Sequence, residues 1–106
     1  MEHEDIEETR KALEDSLARL KGLASWVALK EDERKPGMPP LGTLSPTELE
    51  EVRNAKARFA GAAWEALLAL NRHGSEHGAT EATEAIRKQV SALVREAGKL
   101  CWPKGL

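Results

Sequence analysis

Tyrosine is absent and Phe59 is the single phenylalanine, so three tryptophans make up almost the whole aromatic complement. Leu, Ile, Val and Phe together number 21 of 106 residues, a share near the level at which composition begins to favour disorder. No apolar run approaches the length that spans a bilayer, and the N-terminal MEHEDIEETR lacks the basic-then-apolar pattern of a signal peptide. The expected location is therefore the cytoplasm, with no membrane partner. The single cysteine, Cys101, excludes an internal disulfide and fits a reducing compartment. Sixteen basic against eighteen acidic side chains leave a net charge of -2, without the basic excess of a dedicated nucleic-acid binder. There is no Gly-rich phosphate loop, nucleophile elbow or pair of catalytic carboxylates, so the sequence predicts no enzyme, no cofactor and no small-molecule substrate.

What the chain does have is alanine, 16 residues of it. Alanine is the strongest helix former but buries little area, so helices are locally favoured while the core they can build is thin. The length fits one domain, 1–106, and the composition expects that domain to lean on a partner surface.

Periodicity predicts an all-α fold, an elongated three-helix bundle with helices over about 4–30, 46–72 and 80–102. In the first, Ile6, Leu13, Leu17, Leu20, Ala24 and Val27 trace one apolar seam, with Leu23, Trp26 and Leu29 widening it toward the C-terminal end. Residues 31–44, EDERKPGMPPLGTL, break the pattern with a charge run, three prolines and two glycines, and read as a semi-rigid linker within the domain.

The second helix has the clearest local start. Ser45 is a good N-cap, Pro46 stands at the first helical position, Glu48 can reach back to the Ser45 amide, and Leu44 with Leu49 forms a hydrophobic staple. Its seam is Leu49, Val52, Phe59, Ala63, Ala66 and Leu70, and Gly74 marks the expected stop. FAGAAWEALLAL, from Phe59 to Leu70, has one charge in twelve residues, which predicts a central helix packed on two or more neighbours. The small quartet Ala60 to Ala63 would let another helix approach closely. Glu65 shares a seven-residue spacing with Arg58 and Arg72, the pattern of an exposed polar strip.

Thr80 is the expected N-cap of the third helix, whose seam is Ala82, Ile86, Val90, Leu93, Ala97 and Leu100, with Trp102 and Pro103 at its end. Each predicted helix thus carries one tryptophan, Trp26, Trp64 or Trp102, and these read first as the bulky anchors of an Ala-filled core.

Four constellations bear on chemistry. Arg72, His73 and His77 read R-H-x-x-x-H, which is similar to the Arg-x4-6-His signature of HEPN-type ribonucleases, small helical domains that dimerise. The resemblance covers six residues; it implies that Arg72 and His77 would handle the scissile phosphate and the 2′-hydroxyl in a composite site across a dimer. Gly74 and Gly78 depart from the family by suggesting a loop around the second histidine. The same loop argues against a metal pair of His73 and His77 with Glu76 or Cys101, and no metal site is expected. Lys88, Arg95 and Lys99, with Lys104 beyond them, form a basic strip that would suit the nucleic-acid backbone in a nucleoprotein complex. The architecture is similar to that of the small helical subunits of CRISPR effector complexes. Cys101, with no histidine near it in sequence, reads as a small packing residue rather than a nucleophile.

The function the residues favour is a non-enzymatic protein–protein interaction or assembly module, acting as a homodimer or by docking on a larger complex. The expected interface comprises Leu13, Leu17, Leu20 and Trp26 from the first helix with Phe59, Ala63, Trp64 and Leu67 from the second. A backbone-contacting subunit using Lys88, Arg95, Lys99 and Lys104 is the first alternative, and a HEPN-like ribonuclease using Arg72 and His77 the second.

Overall fold

A computed structural model describes the backbone of residues 2–39, 41–78 and 80–106, and the side chains of these apart from residues 2–5, 76 and 77. Three helices account for the regular structure: α1 (Glu2–Asp32), α2 (Pro46–His77) and α3 (Glu81–Gly98). The chain is all-α, with no strand among the described residues. No described helix is long and apolar enough to cross a membrane. The molecule is a rod of 59 × 21 × 17 Å, as helices of 31 and 32 residues laid side by side require at about 1.5 Å per residue.

α1 and α2 share the largest contact, and α3 lies more against α1 than against α2. The main core draws on all three helices: Ile6, Leu13, Leu17 and Leu20 from α1; Ala55, Phe59, Ala66 and Leu70 from α2; Ile86 and Val90 from α3. Large α1 side chains thus meet a largely alanine face of α2, with Ala62, Ala63 and Ala69 packed at its margin. Arg19 of α1 bridges Glu51 of α2 at 2.9 Å, and Lys21 pairs with Glu96 of α3.

The Ser45 cap forms as expected. Ser45 Oγ accepts from the Glu48 amide at 3.1 Å and the Glu48 carboxylate accepts from the Ser45 amide at 2.8 Å. That donated bond holds the Glu48 carboxyl below its ordinary range. α2 does not stop at Gly74, however. It continues to His77, and Gly78 ends it at φ 75°, its amide donating to the Gly74 carbonyl at 3.0 Å. The chain leaves the helix at that positive φ, a conformation glycine takes without strain. The expected loop over residues 73–77 is therefore replaced by one more helical turn.

α3 is shorter than expected, ending at Gly98, so Trp102 belongs to the tail rather than to a helix. Its core register also differs at the start: Thr83 is buried and Ala82 exposed. Thr83 can be buried because its hydroxyl donates to the Thr80 carbonyl at 2.9 Å while the Thr80 hydroxyl accepts from the Thr83 amide at 3.2 Å.

Linker and tail build a second, smaller core at the other end of the rod. Val27, Leu44 and Val52 are buried there, covered by Leu23, Trp26, Leu41, Leu49, Trp102 and Leu106. Leu41 takes φ 65° and its amide donates to the Glu31 carboxylate at 3.0 Å, so the linker is pinned to the end of α1. Gly42 has no room for a side chain, since a Cβ there would lie 2.9 Å from the Pro39 carbonyl. Pro40 lies outside the described residues. Trp102 packs on both cores with the Lys56 ammonium 5.3 Å from its ring centre, and Lys56 donates to the Leu106 carbonyl. The tail thereby latches onto α2.

Candidate functional site: the outward face of α2

An α-helix apolar around most of its circumference must be enclosed or leave an oily face in water. α2 does the second. Its core side is consumed by α1 and α3, while Trp64 is 64% exposed, Leu68 41% and Leu67 37%. α2 packs on two neighbours, α1 and α3, as expected, but the expectation that it is the central helix is corrected, since α3 lies more against α1. So is the reading of all three tryptophans as core anchors: Trp26 and Trp102 are half-buried, whereas Trp64 points away from the core.

The exposed residues follow a helical order. Asn54, Ala57, Gly61, Trp64, Leu68 and Asn71 recur at spacings of three and four, with Ala60 and Leu67 beside them, and every one is exposed. This is a second apolar seam, about half a turn around α2 from the seam of Val52, Phe59, Ala66 and Leu70. Flanking it at sevenfold spacing run Glu51, Arg58, Glu65 and Arg72, all exposed. The small quartet divides between the two faces: Ala62 and Ala63 pack against the core, while a Cβ built on Gly61 meets nothing within 4 Å. The close approach that Gly61 permits is thus not used by any helix of this chain.

Of the residues expected at an interface, Leu13, Leu17, Leu20 and Phe59 are buried inside the chain itself, and Ala63 is half-buried against the same core. They cannot also face a partner while the chain keeps this fold. Trp26 sits in the second core, under the Lys30 ammonium at 5.9 Å from its ring centre. Trp64 and Leu67 remain on the surface. Ala57 and Leu68 were absent from the expected set, and Gly61 belonged to it through the small quartet; the signal that marks all three is the second three-four spacing, offset from the first.

The basic strip keeps its alignment. Lys88 and Arg95 are exposed along α3 and Lys99 at its C-cap, beside Ser91 and Ala92, in shallow grooves. Two acidic groups share that surface: Glu84, 3.7 Å from Arg87, and Glu96, which pairs with Lys21. Lys104 lies past the helix in the tail.

Arg72 and His77 stand five positions apart on continuous helix, about 140° apart around its axis. His73 is buried. The side chains of His3, Glu76 and His77 lie outside the described residues, and among those described no three His, Cys, Asp or Glu side chains gather so as to hold a metal ion. Cys101 is exposed, its thiol 4.0 Å from the Lys99 carbonyl. It is not the packing residue expected. No family model, curated protein or solved structure matches the chain.

Proposed function

We propose that this chain is a non-enzymatic helical interaction module that docks a protein partner on the outward face of α2. One observation carries the reading: Trp64, the largest side chain of α2, is 64% exposed at the centre of an ordered apolar seam, in a chain otherwise short of large apolar residues. Leaving such a ring in water forgoes on the order of 2 kcal/mol or more of burial, and exposed tryptophan in an apolar patch is the usual anchor of an interface. The core side chains hold α2 in place, and its far face is left over.

A photo-crosslinking residue placed at position 64 tests this, with position 88 on α3 as the control. Crosslinks to protein from 64 well above those from 88, in the cells that make the chain, are expected. Equal yields from both positions would sink the proposal.

Nucleic-acid backbone contact is the second reading, favoured by the alignment of Lys88, Arg95 and Lys99 on one exposed side. It requires binding that weakens steeply with salt and is lost on Arg95→Glu.

A further inference from the structure

The chemistry around Trp64 specifies its occupant. We infer that α2 docks on the α2 of a second copy of this chain, antiparallel, about a twofold axis through the helix midpoint. This rests on the docking role proposed above and assigns the partner.

Charge complementarity carries the inference. α2 runs from Pro46 to His77, so its midpoint falls between Gly61 and Ala62. Glu51 and Arg72 lie symmetrically about that midpoint, and so do Arg58 and Glu65. In a parallel pair the strips of the two copies would lie on opposite sides of the seam and could not meet. Turned antiparallel about the midpoint, Arg58 faces Glu65 of the second copy, Glu51, already bridged to Arg19 of its own chain, faces Arg72 of the second copy, and symmetry repeats each pair. An isologous contact demands this self-complementarity. Arg58, Glu65 and Arg72 form no ion pair among the described residues, and all are exposed, so they are available for it.

Shape agrees with charge. The same twofold, within one residue of register, sets Gly61 opposite Trp64 of the second copy, Ala57 opposite Leu68 and Asn54 opposite Asn71, with Ala60 beside Leu67 one residue further on. Each large exposed side chain meets a small one, and the two asparagines at the ends can exchange hydrogen bonds, a pairing that fixes register. The open space above Gly61 is where the tryptophan ring enters. Glycine at the centre of a long exposed helix otherwise weakens it without return.

The contact is small. From Asn54 to Asn71 it spans about 26 Å of helix, and the exposed parts of Trp64, Leu67, Leu68 and their small neighbours give on the order of 400 Å² per copy. That total of roughly 800 Å² lies below the size of permanent dimers, so the inferred association is weak and reversible, on the micromolar-to-millimolar side of the affinity scale.

Sedimentation of the purified full chain from 5 to 500 µM tests the pairing, ranges chosen to bracket roughly that affinity. Wild type should associate reversibly. Arg58→Glu and Glu65→Arg each create two like-charge contacts and should weaken association about tenfold or more. The double variant, and an equimolar mixture of the two single variants, should regain it to within about threefold, since both restore opposite charges across the axis. Gly61→Leu should abolish association without lowering the melting temperature, because nothing in the monomer occupies that space. A double variant no better than the singles overturns the antiparallel register. A wild-type chain that stays monomeric throughout overturns the second copy as occupant; crosslinks from position 64 to a different protein would then leave the docking role standing, and no crosslinks at all would remove both.

Discussion

Replacing Gly61 by alanine makes the monomer more stable, and the size of the gain follows from three facts about the site. Gly61 lies some fifteen residues from either end of α2, so the helix is fully formed there and end fraying does not dilute the effect. Its added Cβ meets no atom within 4 Å, so no packing is disturbed. What remains is the helix propensity difference, about 0.8–1 kcal/mol in favour of alanine. With an unfolding entropy of about 2.1 cal/mol/K per residue, a chain of 106 residues converts that gain into roughly 4 °C. Thermal unfolding followed by circular dichroism at about 2 µM, below the range where two copies associate, reads the shift. Gly22→Ala in α1 is the matched control, being exposed with equally open space, and the two gains should add. A melting temperature that falls with Gly61→Ala, while Gly22→Ala raises it, would show that residue 61 is packed within the monomer and would refute the outward orientation of this face.

Leu13→Ala, which empties a fully buried core position, should cost about 2–5 kcal/mol in denaturant unfolding, whereas Trp64→Ala should stay within about 0.5 kcal/mol at the same low concentration. A large loss from Trp64→Ala would place its ring in the core. The Glu48 carboxylate, lowered by the Ser45 amide bond, adds stability that is present above the ordinary Glu value of about 4.5 and is lost as the pH falls through its lower folded value. Glu48→Gln should therefore flatten that part of the stability profile below about pH 4.5 while keeping the cap's hydrogen-bond geometry, as paired urea titrations across that range would read. Trp102→Ala should cost about 2–3 kcal/mol and loosen Lys56 and Leu106 together, visible as faster amide exchange at the Val27 and Val52 end of the rod.

Much of the fold was legible because single-sided periodicity leaves one solution. Along α1 the apolar spacing names one face, and Ile6, Leu13, Leu17, Leu20 and Val27 occupy it. The Ser45–Pro46–Glu48 start was equally plain, since each residue has one role there. Along α2 the seam of Val52, Phe59, Ala66 and Leu70 was equally legible and is buried, but it hid a second one on the opposite side, through Ala57, Gly61, Trp64 and Leu68. The burial of Thr83 in place of Ala82 escaped a count of apolar residues because a local hydroxyl bond, rather than hydrophobicity, makes that burial tolerable. The extra turn past Gly74 was hidden by a glycine that the helix passes through, the true stop being the next glycine four residues on. The folded-back tail has no local signature at all, as Trp102 is placed by residues far back in the chain, Val27, Val52 and Lys56 among them.

The two-sidedness of α2 also sets a folding problem. Rotated by half a turn, α2 could offer Trp64, Leu67 and Leu68 to α1 and still bury apolar surface. That arrangement would bring Asn54 and Asn71 to α1 and leave Val52, Phe59 and Leu70 in water, whereas the present one buries those three and fills the space between them with Ala55 and Ala66. The polar residues at the two ends of the outward seam therefore select between two competing folds. Enlarging Ala66 to leucine narrows the gap between them, and the minor species it populates would carry the tryptophan inside.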